Sequence, residues 1–159
     1  MRLWHTDLIP YLPRLQLLGQ HRECCALRGN GWGRKHSTID YIYNYAFCLL
    51  IEFHKKVMAE MKFRGYNVNP KWDDESYRGK NHDRIPEWEW IPIKPREKSY
   101  AEHDNLYLES CIKNILKKMN KAIEEGKLEK YPAAERARFF DGIRFFQQTY
   151  RLDPKIKIE

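Results

Sequence analysis

Residues 42–65 read IYNYAFCLLIEFHKKVMAEMKFRG, and their apolar side chains recur at helical spacing: Ile42, Ala46, Leu49, Phe53, Val57 and Met61. That stripe predicts one long helix with a continuous face turned to a core. Gly65 is its expected stop, because glycine takes the left-handed backbone of a helix end without steric cost. Upstream, Ser37 with Asp40 resembles a capping box and puts the helix start just after HST (36–38). Before it, Pro13 suits the first position of an earlier helix, which runs to about Leu27 and is ended by the glycines of RGNGWG (28–33). Residues 1–12 read as an extended arm.

Residues 66–102 differ in kind. Prolines 70, 86, 92 and 95, together with Trp72, Trp88 and Trp90, forbid a regular helix through most of the segment and predict a long packed loop. A third helix is expected over roughly 103–125, with Leu108, Ile112, Ile115, Met119 and Ile123 on one face and Gly126 at its end. A fourth, shorter one follows Pro132 and carries Phe139, Phe140, Ile143 and Phe146. Its ERARFFDGIRFF (135–146) alternates basic and aromatic residues but reads as a packing helix. The chain is therefore expected to be all-α: one compact domain over residues 1–159, a bundle of about four helices with an extended N-terminal arm and a long Pro/Trp-rich loop.

Composition narrows the function. The 159 residues are 42% hydrophobic and 32% charged, as in a soluble globular protein. No run of eighteen apolar residues occurs, and the N-terminus lacks the layout of a signal peptide, so a cytoplasmic protein is expected. The net charge of +7 favours a polyanionic partner. Of the cysteines Cys24, Cys25, Cys48 and Cys111, none forms a CxxC pair, and the adjacent two diverge on a helix; reduced thiols are expected.

QHRECC (20–25) packs an imidazole, a guanidinium, a carboxylate and two thiols into one and a half turns. On a helix, Leu17, Leu18, His21, Cys24 and Cys25 share an arc of about 120°, the expected buried face. His21 then reads as a hydrogen-bonded core residue, and no further ligands stand at zinc spacing, so no metal is expected. Gln16, Gln20 and Glu23 form a second stripe on one flank, with Arg22 pointing away. A carboxylate half out of water can be tuned by its surroundings and still reach a substrate.

The order of these pieces resembles the pyrimidine-dimer DNA glycosylase family. LLGQHREC (17–24) looks like the family's first helix with its Arg-Glu pair, here Arg22 and Glu23. KHSTIDYIYNYAFCLLIEFHKKVMAEMKFRGYNV (35–68) looks like its central helix, with a His-x-Thr start and an Arg-Gly-aromatic exit, and SYRGKNHDRIP (76–86) resembles the segment after it. The likeness covers residues 1–86; the family's aromatic C-terminal tail is not recognisable. It implies a glycosylase with a coupled AP lyase step on pyrimidine dimers or a related lesion. The N-terminal amine forms a Schiff base with deoxyribose, Glu23 is the essential carboxylate, Arg22 contacts DNA, and no metal or other cofactor is required. An α-amine suits that chemistry, since its ordinary pKa of about 7.7–8.0 leaves a usable neutral fraction where a lysine, near 10.4, would need burial. Arg2 is too large to favour removal of the initiator, so the amine is expected on Met1, or on Arg2 if Met1 is lost. Gln16, Gln20, Arg28, Arg34, Lys35 and His36 are the remaining candidate DNA contacts. The expected partner is double-stranded DNA carrying a base lesion, with no membrane and a monomeric protein. Two other readings stand beside this one: a non-catalytic nucleic-acid-binding module of the same fold, and an enzyme for another modified base or an RNA substrate.

Overall fold

The structure is a computed structural model, and it describes residues 1–84, 99–149 and 151–157. Among the described residues it is all-α, with four α-helices and no strand: α1 (Arg14–Arg28), α2 (Phe47–Phe63), α3 (Asn105–Glu124) and α4 (Ala133–Gln148). No described helix is long and apolar enough to cross a membrane. The part of the expected Pro/Trp-rich loop that carries Trp88 and Trp90 lies outside the described residues.

The chain divides into two compact units, Met1–Leu3 with Leu18–Ala101, and Trp4–Leu17 with Glu102–Glu159. In the first, α2 supplies the core through Leu50, Ile51, Phe53, Val57, Met58 and Met61, all buried. Its end is the expected one. Gly65 has φ +80, Gly65 N–H reaches the Lys62 carbonyl at 3.0 Å, and Tyr66 N–H reaches that of Met61 at 2.9 Å, so the last carbonyls are satisfied.

Its start is not. The helix begins at Phe47, and Asp40–Asn44 form a separate 3-10 turn. The Asp40 carboxylate does accept a backbone N–H, that of His36 at 2.6 Å, but this closes a turn and not the helix. Aromatic packing holds the intervening residues out of helical register. Tyr41 and Tyr45 stand edge-on to the buried Tyr100, while Tyr43 bonds the carbonyls of Gly31 and Arg34 and meets Trp32 edge-on.

In the second unit α3 buries Leu108, Ile112, Ile115 and Met119 as expected, while Ile123 is exposed and Ala122 takes its place. The arm is extended only over residues 1–5; Thr6–Tyr11 form a 3-10 helix that accommodates Pro10. His103 Nδ1 accepts from the backbone N–H and the hydroxyl of Thr6, and Arg151 bonds the Asp7 carboxylate at 2.8 Å. This short helix lies so close to α4 that a Cβ on Gly142 would stand 2.5 Å from the Tyr11 ring, which is why glycine occupies that turn.

The buried face of α1 is rotated from the expected arc. Gln16, Leu17, Gln20, Cys24, Leu27 and Arg28 are buried, whereas Leu18, His21 and Cys25 are only half-buried. Polar residues can occupy that face because each finds a partner there. All four cysteines are free thiols.

Candidate active site

Three backbone groups of Met1 and Arg2 place the start of the chain. The Arg2 amide donates to Glu23 Oε2 at 3.4 Å, and the Arg2 carbonyl accepts from Gln20 Nε2 at 3.0 Å. Gln20 Nε2 also donates to Glu23 Oε2 at 3.1 Å, fixing the carboxylate against the arm. The Met1 carbonyl accepts from the Thr38 hydroxyl, and the Met1 amine lies 3.4 Å from His36 Nε2. Leu3, wholly buried, anchors the arm behind these contacts. Met1, Arg2, Glu23 and His36, far apart in sequence, are thereby brought together.

Met1 and His36 line a cavity of about 690 Å³. This is within the size range of small-molecule sites and large enough for an everted nucleotide. Arg34, Lys35 and His36 line one part of it, Arg78, Lys80 and His82 another, and Trp72 and Cys25 contribute an aromatic surface and a thiol. The cationic lining is what phosphate requires. Arg34, Lys35 and His36 are exposed, as the sequence suggested, and so is Arg22 on α1.

Three candidate DNA contacts are corrected. Gln16 is buried, its amide donating to the Tyr131 hydroxyl at 2.9 Å. Gln20 is wholly buried and positions Glu23. Arg28 is also fully buried. Its Nη1 donates to the Trp72 carbonyl at 3.0 Å and to His54 Nδ1 at 3.1 Å, and its Nη2 to the carbonyls of Asp74, Glu75 and Tyr77 at 2.8–3.2 Å. It also lies over the Trp72 ring at 5.0 Å. Arg28 thus sews residues 72–77 to α1 and holds Trp72 at the cavity instead of touching DNA. Arg78, which the spacing argument had not singled out, donates to the Arg28 carbonyl at 2.8 Å, so the C-terminus of α1 faces a cation. Gly29 permits this approach: a Cβ there would stand 2.8 Å from the Arg78 carbonyl.

The electrostatics decide between two nucleophiles at the cavity. Burial pushes the Cys25 thiol up to about 12, the nearby Arg28 charge offsetting this only in part. A thiol so held stays protonated and is a poor nucleophile at neutral pH. The amine is the better candidate.

The expectation that no third metal ligand exists is corrected as well. His21 Nδ1, Cys25 Sγ and His54 Nε2 lie within 4.8 Å of one another, the last supplied by α2 and therefore invisible to spacing within α1. Protons oppose a metal there. Burial, then Arg28 and His21, lower the His54 pKa to about 2, so the ring is neutral. Arg28 can only donate, so His54 Nδ1 is the acceptor and its proton sits on Nε2. Nε2–H then donates to His21 Nδ1 at 2.8 Å. A cation at this cluster would have to replace that proton while a guanidinium holds the other nitrogen, leaving an imidazolate. The arrangement fits a hydrogen-bonded pair better than a ligand set.

Fold and site together define a helical protein with a cationic, nucleotide-sized cavity walled by the beginning of its own chain. Residues 1–74 match the family model described as Pyrimidine dimer DNA glycosylase, which bears out the family resemblance over that stretch and stops short of the 76–86 segment. Neither the curated proteins nor the solved structures yield a match.

Proposed function

We propose that the protein is a DNA repair glycosylase with coupled AP lyase activity, acting on pyrimidine dimers or a related base lesion. The observation that carries this reading is Met1 at the wall of a cationic cavity, on an arm whose next residue is bonded to the Glu23 carboxylate. The amine nitrogen forms a bond to C1′ of the damaged nucleotide as the glycosidic bond breaks, its electron pair leaving with the base. Ring opening gives a protonated Schiff base, which Glu23 stabilises by its charge in a partly desolvated site. Loss of a C2′ proton then expels the 3′ phosphate. Trp72 offers the everted base a stacking surface.

Incubation with duplex containing a pyrimidine dimer or an abasic site, in the presence of borohydride, should trap a covalent adduct. Peptide mapping should place it on residue 1, with Met1 retained. Binding without any adduct on either substrate would overturn the enzyme reading and leave a binding module. The cations give a second expectation. Changing Arg34, Lys35 and Lys80 to alanine together should flatten the salt dependence of duplex binding by about 0.9 in log–log slope for each lost phosphate contact. An unchanged slope would remove these residues from the DNA interface.

A further inference from the structure

We infer that His36 is the general base of the Met1 nucleophile, an inference that rests on the glycosylase reading above. The hydrogen bonds around its ring decide which nitrogen is free. The Thr38 hydroxyl donates its one hydrogen to the Met1 carbonyl oxygen. It therefore meets His36 Nδ1, 2.8 Å away, with a lone pair, and Nδ1 must carry the hydrogen. A neutral imidazole protonated on Nδ1 has a bare lone pair on Nε2, and Nε2 is the atom that faces the Met1 amine at 3.4 Å. Both ends of the circuit are the same residue: Met1 sets the tautomer through its carbonyl and meets the resulting acceptor with its amine.

The backbone holds the ring in place. His36 N–H donates to Asp40 Oδ1 at 2.6 Å, and the His36 carbonyl accepts the N–H groups of Ile39 and Asp40 at 2.9 and 3.0 Å. Among the described residues, the Met1 amine meets the imidazole, Asp40 bonds the His36 backbone N–H, and Arg34 and Lys35 line the same cavity. Arg78, Lys80 and His82 line the cavity too.

The step it performs follows from counting protons. A neutral amine that bonds to C1′ becomes a four-bonded, positively charged nitrogen, and it cannot open the sugar ring until it sheds a proton. One N–H bond breaks, its electron pair stays on nitrogen, and Nε2 takes the proton. That pair then forms the C1′=N bond as C1′–O4′ breaks, the bond's electrons staying on O4′, which takes a proton from solvent. The imidazolium returns its proton to solvent, to which the His36 side chain is exposed. Glu23 keeps a different task, since its Oε2 is bonded by the Arg2 amide and by Gln20. The carboxylate stabilises the iminium, and the imidazole moves the proton.

The test uses His36→Asn, which keeps a donor near the Nδ1 position and deletes Nε2. Its single-turnover rate of borohydride-trapped adduct formation is measured on abasic duplex with DNA saturating, beside circular dichroism. The expected rate loss is about 10²-fold or more. The acid limb of the pH–rate profile should also change. In the wild type two groups must be unprotonated, so log rate climbs with a two-proton slope; in the variant the amine alone remains and the slope falls to one. Added imidazole should restore rate to His36→Gly. Equal rates, or a loss that leaves the slope unchanged and ignores imidazole, would overturn the assignment while the glycosylase reading stands. If the wild type itself forms no adduct on abasic or dimer-containing duplex, that reading falls and takes this inference with it.

Discussion

Replacing Glu23 with glutamine is expected to slow strand cleavage by about 10²- to 10⁴-fold and to leave the fold intact. The substitution is nearly isosteric. A glutamine oxygen can still accept the Arg2 N–H that now bonds Glu23 Oε2, so the arm should keep its path along α1. In the proposed mechanism, what is lost is the negative charge that stabilises the iminium, and such charge counts most where water is partly excluded. Gln20 gives the change a second control. It is wholly buried and holds the carboxylate from the side, so Gln20→Ala should loosen the arm and lower the rate less than removing the charge does. Gel-based cleavage of abasic duplex, with DNA in excess, reads both variants. Wild-type rates in Glu23→Gln would remove the carboxylate from the mechanism.

The second large effect concerns stability. Arg28→Leu should destabilise the protein by about 3–5 kcal/mol, because it strips the donor from four carbonyl oxygens and one imidazole inside the first unit. In a chain of this length that corresponds to a fall of roughly 10–15 °C in the thermal midpoint. Arg28→Lys should recover little. Lysine keeps the charge but offers three donors from a single point, whereas the guanidinium spreads its donors over both Nη atoms and stacks on Trp72. DNA affinity should fall with stability, since residues 72–77 lose the tether that sets Trp72 at the cavity. Scanning calorimetry with parallel binding at a temperature where both proteins are folded separates the two effects. A midpoint lowered by only a degree or two would mean that water replaces the guanidinium at those carbonyls.

The helices were legible where the evidence for them is local. Spacing alone placed the body and end of α2, the stripe of α3 and the aromatic face of α4, since each depends on side chains within a turn or two, with Gly65 and Gly126 at the exits of α2 and α3. Local rules failed where distant contacts competed with them. The start of α2 slipped to Phe47 because Tyr100, more than fifty residues downstream, holds Tyr41 and Tyr45. The buried face of α1 turned toward Gln16 and Gln20 because the Tyr131 hydroxyl and the Arg2 carbonyl accept from their amide nitrogens.

For the site, the sequence alone determined the ingredients: a basic chain, a carboxylate at the rim of α1, a cationic loop at 34–36, and a family resemblance later matched over residues 1–74. Only tertiary structure decided which of them meet. Arg28 and Arg34 look alike as letters, yet one is sealed among carbonyls and the other lines a cavity; His36 and His54 likewise differ by the atoms that face them. Hydrogen-bond partners from remote segments determine the tautomer of an imidazole and the exposure of a guanidinium, and helical periodicity carries no information about either.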